Sequence, residues 1–228
     1  CFQSFTASED DAVPDCVTNL DELNRRLPLF AVLRGLEPDR AADVAQMLVA
    51  AGFEILEVTM NSRDPLGSIF AISQAVGHDA LVGAGTVTTV SQVDAVMQAG
   101  GRLIVSPHCD PEIVALAAHR GLVVLPGVLT PSDMFSALRA GATGLKVFPA
   151  ELMPPSGIKA IRAVLPAGPP IFAVGGIHAE NMADYLAAGA AGFGIGGSLF
   201  RAGKPMAEIE RDAKALVASF REARNSVA

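Results

Sequence analysis

The chain has 228 residues, of which 17 are Lys or Arg and 24 are Asp or Glu, and its formal net charge is −7. Apolar residues make up 50% and charged residues 18%, which excludes a disordered chain, a collagen and a charge-stabilised coiled coil. The apolar runs are too short to span a membrane and no basic stripe is present, so we expect neither a membrane nor a nucleic acid as partner.

The first 19 residues differ from the rest. They lack hydrophobic periodicity, and Phe2-Gln3-Ser4 is compatible with the remnant of a cleavable tag, so residues 1–19 are predicted to be an N-terminal tail. Residues 20–228 are predicted to form one domain, which begins with a short helix-like segment at 20–27. Three scattered cysteines, Cys1, Cys16 and Cys109, do not form a disulfide framework and favour a reducing cytoplasm.

From residue 29 onward, eight short apolar runs alternate with eight helical patterns, several of which begin with a Pro or Ser signal. The predicted strands are Leu29–Arg34, Ile55–Met60, Leu81–Val87, Leu103–Pro107, Val123–Val128, Gly144–Phe148, Ile171–Gly176 and Phe193–Ser198. The predicted helices are Pro38–Ala50, Pro65–Val76, Ser91–Ala99, Pro111–His119, Ser132–Ala140, Ser156–Leu165, Ala179–Ala188 and Pro205–Arg224.

Eight βα units with strands rich in Val, Ile and Leu predict the α/β class and a single-domain, closed (β/α)8 TIM barrel. The alternative is an open, doubly wound sheet. That fold predicts a G-x-G-x-x-G turn after the first strand, whereas the turn here reads Arg34-Gly35-Leu36-Glu37-Pro38.

Two charged residues are predicted to point into the barrel. Side chains alternate along a strand, so if Leu56 and Val58 face the helices, Glu57 faces inward, and the same alternation places Lys146 inside. Burial and a neighbouring cation such as Arg34 would lower the pKa of Lys146 and leave a neutral, nucleophilic amine. Glu57 would then act as general acid and base. The alternative is a structural ion pair between Glu57 and Lys146.

Other polar groups follow the predicted strands. The guanidinium of Arg34 suits a substrate carboxylate or phosphate, or alternatively pairs with a loop acid. Thr86 is either a substrate hydrogen-bonding group or an ordinary strand residue.

Glycines cluster in the last two strands, at Gly175-Gly176 and Gly194–Ser198. Their bare backbone N–H groups suit a phosphate, and the alternative is that they relieve crowding in a small barrel. The four histidines, His78, His108, His119 and His178, show no paired ligand spacing and are read as surface or rim residues, so no metal is predicted.

Taken in order, the strand-end motifs resemble one enzyme family. They are Ala31-Val-Leu-Arg-Gly35, Glu57-Val-Thr-Met-Asn-Ser62, Gly83-Ala-Gly-Thr-Val87, Ile104-Val-Ser-Pro-His108, Leu125-Pro-Gly127, Leu145-Lys-Val-Phe-Pro-Ala150, Phe172-Ala-Val-Gly-Gly-Ile177 and Gly196-Gly-Ser198. From about Leu27 to Arg224 the chain resembles the 2-keto-3-deoxy-6-phosphogluconate / 6-phosphogalactonate aldolase family.

The resemblance implies a class I aldolase, usually a homotrimer, without metal or organic cofactor, that acts on a phosphorylated keto-deoxy sugar acid and releases pyruvate. It implies that Lys146 forms the Schiff base and that Glu57 is the acid and base. The implied substrate-binding residues are Arg34 for the carboxylate, Thr86 and Pro107 for pyruvate, Phe148 beside the imine, and Gly175, Gly176, Gly197 and Ser198 for the phosphate.

Two positions resemble galactonate-type members of that family. Val174 stands where gluconate-type members typically carry Thr, and Asn61 stands where some of them carry Arg. Valine offers an apolar wall instead of a hydroxyl partner for the C4 hydroxyl, which favours the galactonate epimer. The gluconate epimer as main substrate, a phosphate-binding barrel isomerase or epimerase, and a non-catalytic sugar-phosphate sensor are the alternatives.

Overall fold

The structure is a computed structural model that describes residues 26–227. The predicted tail at 1–19, and most of the helix-like segment at 20–27, lie outside the described residues. No helix within the described range is long and apolar enough to span a membrane.

The described residues alternate strands with helices, as predicted. The strands are β1 (Leu29–Leu33), β2 (Ile55–Thr59), β3 (Leu81–Gly85), β4 (Leu103–Val105), β5 (Val123–Leu125), β6 (Gly127–Val128), β7 (Leu145–Val147), β8 (Ile171–Val174) and β9 (Gly192–Ile195). The α-helices are α1 (Pro38–Ala50), α2 (Pro65–Val76), α3 (Val90–Gln98), α4 (Pro111–His119), α5 (Pro131–Arg139), α6 (Pro155–Arg162), α7 (Met182–Ala187) and α8 (Met206–Val227).

The strands form one parallel sheet that closes on itself. Its order is β5-β4-β3-β2-β1-β9-β8-β7-β6, and every pair is parallel. The two outermost members, β5 and β6, are separated in the chain only by Pro126, which has no N–H to donate to a ladder. They are therefore two parts of the fifth predicted strand, one paired with β4 and the other with β7. The (β/α)8 barrel is confirmed.

Two apolar layers fix the direction of each strand's side chains. Phe30, Ile55, Leu81, Phe172 and other inward-facing residues form the cluster inside the barrel. A larger cluster packs the outer faces of the strands against the helices. Leu56 and Val58 belong to the outer cluster, as do Leu145 and Val147, so Glu57 and Lys146 face inward as predicted.

The predicted strands were too long at their C-terminal ends. Residues predicted at the ends of strands, including Arg34, Thr86, Pro107, Gly176 and Ser198, follow the observed strands instead. Gly175, Gly176 and Thr86 have φ values of 101°, 65° and 57°, which are incompatible with a β ladder. The predicted helix Ala179–Ala188 is also divided, into a 3-10 turn at Ala179–Asn181 and helix α7.

Candidate active site

A cavity of about 880 Å³ opens at the C-terminal ends of the strands. Its lining includes every one of the eleven site residues named from the sequence, from Arg34 after β1 to Ser198 after β9. Parallel strands bring their C-terminal ends to one rim, so residues far apart in the chain meet there. The structure therefore places the predicted site residues in a single cavity.

Lys146 occupies the middle of β7 and points into this cavity. Its side chain is 6% exposed, and its Nζ lies 5.0 Å from the centre of the Phe148 ring. Burial lowers the pKa of Lys146 most, the positive charge of Arg34 lowers it further, and Glu57 acts in the opposite direction. A lysine in this environment releases its proton more readily than a solvated lysine and can act as a nucleophile.

Glu57 lies inside the barrel, 1% exposed, and its Oε2 has no hydrogen-bond partner in the structure. Burial raises the pKa of its carboxyl group, while Lys146 and Arg34 partly offset that effect. Among residues 26–227 no direct salt bridge joins Glu57 to Lys146, although the two charges interact electrostatically, so the alternative of a closed structural ion pair is not what the geometry shows. An unsatisfied buried carboxylate oxygen is costly, and it remains available to a substrate.

A glycine on the neighbouring strand makes room for the Glu57 carboxyl group. Glu57 pairs in register with Gly83, and Gly85 follows two residues later on β3. A Cβ built at Gly85 would lie 2.6 Å from both Cδ and Oε1 of Glu57. The absence of a side chain at Gly85 therefore defines where the carboxyl group sits, a role that the sequence did not reveal.

Arg34 lies at the rim and is held by a neutral partner. Its Nη1 donates to Oδ1 of Asn61, at 2.9 Å. The alternative that Arg34 pairs with a loop acid is wrong, because its partner is the amide of Asn61. An amide carries no charge and therefore does not neutralise the guanidinium group. Asn61 therefore orients Arg34 toward the cavity without neutralising it.

Thr86 adopts a left-handed backbone, with φ of 57°, immediately after β3. Such a conformation is an outlier for a β-branched residue and costs about 1–3 kcal/mol. The alternative of an ordinary strand threonine is therefore wrong. Since Thr86 lines the cavity, the strain coincides with a place where its hydroxyl can meet a ligand.

The glycines near the last two strands were predicted either to bind a phosphate or to relieve crowding, and the structure assigns different glycines to these two roles. Gly194 relieves crowding, because a Cβ there would lie 2.4 Å from two carbons of the Phe30 ring. Gly197 does not, since a Cβ there would meet no atom within 4 Å. In the described part of the chain, the N–H groups of Gly175, Gly176, Gly197 and Ser198 have no backbone acceptor outside the regular ladders. These donors lie on the cavity wall and are suited to an anion.

One cationic residue of the cavity was missed. Arg201 lines the wall beside Ser198, and it lies beyond the last predicted strand in a segment without a recognisable motif. The described lining of the cavity thus carries three Lys or Arg residues, Arg34, Lys146 and Arg201, and one acid, Glu57. The cavity is therefore richer in positive charge than the chain as a whole, whose net charge is −7. His178 also lies on the rim, as predicted, with its Nδ1 2.7 Å from Oε2 of Glu180. The cavity is thus locally suited to an anionic ligand.

Comparisons with known proteins agree with this arrangement. The family model described as KDPG and KHG aldolase matches residues 20–214. The chain is 46% identical over 193 residues to the probable 2-dehydro-3-deoxy-6-phosphogalactonate aldolase of Rhizobium meliloti (strain 1021), covering 85% of this chain and 91% of the relative.

Solved structures show the same likeness. The native KDPGal structure superposes with a TM-score of 0.86 at 44% identity, covering 87% of this chain and 97% of the other. The KDPG aldolase of Legionella pneumophila, solved with pyruvate captured at low pH as a covalent carbinolamine intermediate, has a TM-score of 0.73 at 26% identity, covering 90% and 97%.

Proposed function

The chain belongs to the KDPG and KHG aldolase family, and from this premise we propose that it is a class I aldolase that cleaves 2-dehydro-3-deoxy-6-phosphogalactonate to pyruvate and D-glyceraldehyde 3-phosphate. The observation that carries the proposal is Lys146, a buried amine of lowered pKa inside the barrel. A lysine that serves only solubility or surface pairing would not be placed there.

The reaction begins at Lys146. Its neutral Nζ attacks the C2 ketone of the substrate and a C–N bond forms, and loss of water with uptake of one proton from solvent leaves a protonated imine, a proton that is released again when the imine is hydrolysed. The imine withdraws electrons from C3. Glu57, directly or through one water molecule, takes the proton of the C4 hydroxyl, and the C3–C4 bond breaks with its electron pair moving to C3.

The second half of the reaction returns the proton. Cleavage leaves D-glyceraldehyde 3-phosphate and an enamine of pyruvate on Lys146. Glu57 delivers its proton to C3, and water hydrolyses the resulting imine to release pyruvate and the free amine. The electrons balance within the substrate, so the proposal needs neither a metal nor an organic cofactor. The raised pKa of Glu57 suits a group that must accept and donate a proton in one cycle.

The remaining cavity residues bind the two anionic ends of the substrate. Thr86 and Pro107 line the pyruvate pocket, Phe148 packs beside the imine, and Arg34 binds the carboxylate. The phosphate takes backbone N–H groups of Gly175, Gly176, Gly197 and Ser198 on the cavity wall, with Arg201 as a nearby counter-charge.

The galactonate epimer is preferred because of the wall near C4. Val174 lines the cavity and is 6% exposed, so it offers an apolar surface where a threonine would offer a hydroxyl. The relative in Rhizobium meliloti with 46% identity carries the galactonate name, which supports the same choice.

Borohydride reduction in the presence of pyruvate tests the mechanism. We expect a stable mass adduct on the peptide that contains Lys146, and none in the Lys146→Arg variant, since guanidinium is not nucleophilic. Lys159 and Lys214 are exposed lysines in the same sample and serve as internal controls. An adduct elsewhere, or no adduct, would contradict the mechanism. Retained turnover in Lys146→Arg would instead favour an isomerase or epimerase that uses acid–base chemistry alone. Side-by-side cleavage of the two phosphorylated epimers, coupled to pyruvate detection, tests the substrate.

We also propose a homotrimer in the cytoplasm. The resemblance to the family, whose members are usually homotrimers, supports this assembly. The free, partly buried thiol of Cys109 is compatible with a reducing compartment. Light scattering of the purified chain tests the trimer, and a monomeric mass would contradict it.

A further inference from the structure

The turn that follows β9 is fixed from behind by a buried lysine. Lys204 is 9% exposed at its side chain, and its Nζ donates to the carbonyl oxygens of Leu199 at 2.7 Å and Ser198 at 3.1 Å. Its third contact is Oδ2 of Asp212 on α8, at 2.6 Å. An ammonium group has three donors, so these contacts use all of them. Lys204 does not line the cavity described above.

The two carbonyl groups belong to the peptide units that hold the turn together. The N–H groups of those same units, on Leu199 and Phe200, both donate to the carbonyl oxygen of Gly196 at 2.9 Å. In a planar trans peptide the C=O and N–H bonds point in opposite directions. The N–H of Gly197 lies in the same peptide unit as the carbonyl of Gly196, so it points away from the two N–H groups that hold that carbonyl, and Gly197 lines the cavity.

Lys204 is itself held in place on both sides. Asp212 also accepts from Arg211 through Oδ1, and hydrogen bonds from Lys204 and then Arg211 lower the pKa of its carboxyl group. The carbonyl of Lys204 accepts from Nη2 of Arg40 on α1, at 3.0 Å. Lys204 therefore connects the turn to both helices: its backbone carbonyl contacts α1, and its ammonium group contacts α8.

We propose that Lys204, anchored by Asp212, is a positioning residue for the phosphate-binding turn and sets the affinity for the phosphate group without touching it. The inference rests on the proposed function, because it assigns the substrate phosphate to this turn. It concerns binding and not chemistry, so it predicts a selective effect on phosphorylated ligands. The reaction of pyruvate with Lys146 should be unaffected, because pyruvate lacks a phosphate group.

The test compares Lys204→Met with the parent chain. Methionine retains the unbranched stem of the side chain but lacks the terminal ammonium donor, so the carbonyls of Ser198 and Leu199 lose their anchor. We expect KM for the phosphorylated substrate, and the inhibition constant of inorganic phosphate, to rise about tenfold, by analogy with the loss of a residue that orients a metal ligand. We expect kcat to change little, and borohydride trapping of pyruvate on Lys146 to stay at the parent level.

Two further variants make the test specific. Lys214→Met removes an exposed ion pair on α8, the helix that carries Asp212, in which Nζ of Lys214 lies 2.6 Å from Oε1 of Glu210. This variant should leave KM, kcat, the inhibition constant of phosphate and pyruvate trapping at the parent values. Asp212→Asn retains the side-chain shape and should weaken phosphate inhibition in the same direction as Lys204→Met, and it serves as the test if Lys204→Met does not fold.

The outcomes separate the two proposals. An unchanged inhibition constant for phosphate in folded Lys204→Met, or in folded Asp212→Asn if only that variant folds, would overturn the positioning role. An equal loss for pyruvate trapping and for phosphate would also overturn it, because that pattern indicates general damage. Failure of the proposed function is visible in the parent chain alone, as a lack of both a pyruvate adduct and cleavage.

Discussion

Gly85→Ala offers a direct test of how the barrel places its acid–base group. The substitution adds one methyl group at the end of β3, and its Cβ would lie 2.6 Å from Cδ and Oε1 of Glu57 and 2.9 Å from Oε2. Ordinary van der Waals contact begins at 3.4 Å. The carboxyl group must therefore retreat by about 0.8 Å, the difference between 3.4 and 2.6 Å, or the strand must move.

A displacement of this size matters because proton transfer depends on geometry. A misplacement of about 1 Å at a reacting group can cost about 10²-fold in rate, so we expect kcat of Gly85→Ala to fall by about that factor. Overpacking should lower the free energy of unfolding by about 1–3 kcal/mol, which leaves a folded protein. The three atoms nearest the new methyl group all belong to Glu57, so the amine of Lys146 stays in place and borohydride trapping of pyruvate should persist.

A double-mutant cycle shows whether the effect passes through Glu57. Glu57→Ala alone should lower kcat by about 10²–10⁴-fold, the usual contribution of a general acid or base. Adding Gly85→Ala to Glu57→Ala should cost little more, since the carboxyl group that the methyl would displace has gone. The assay is pyruvate release under saturating substrate. Parent-like kcat in Gly85→Ala, or fully additive losses in the double variant, would refute the reasoning.

Three further expectations concern the amine, the phosphate and the epimer. Formation of the pyruvate adduct should remain fast well below pH 10.5, the usual pKa of lysine, because the neutral amine is the reacting form. The trapping rate should decline only below the lowered pKa of Lys146. A trapping rate that is half-maximal near pH 10.5 would contradict this. Arg201→Ala should raise KM for the phosphorylated substrate about tenfold with pyruvate trapping unchanged, as steady-state kinetics can measure. Val174→Thr should shift the ratio of kcat/KM about fivefold to tenfold toward the gluconate epimer, and an unchanged ratio would remove Val174 as the discriminator.

The pH dependence of stability gives a separate check on Lys146. Its pKa is lowered in the folded chain, so the stability linked to the neutral amine is present above about 10.5 and is lost as the pH falls through the lowered pKa. Lys146→Met has no such group. Its free energy of unfolding should therefore exceed that of the parent most at low pH and least near pH 10.5, as urea unfolding at several pH values can show.

Periodicity along the chain was sufficient to predict the barrel and the inward position of Lys146. Alternation along β2 and β7 placed Glu57 and Lys146 inside, since one face of each strand was apolar throughout. The strand ends were less predictable. Thr86 and Gly176 read as continuations of strands, but positive φ values remove them from the ladder, and nothing local in the sequence encodes that choice for a threonine.

The sequence by itself determined which chemical groups this protein carries and that parallel strands would bring them to one rim, because side-chain type and hydrophobic period are local properties. Only the tertiary structure decided how those groups are held. Asn61 supports Arg34, Gly85 leaves space for Glu57, and Lys204, in the segment between β9 and α8, anchors the carbonyl groups of Ser198 and Leu199. Each of these contacts joins residues on different segments, and a distance across the barrel exists only once the chain has folded.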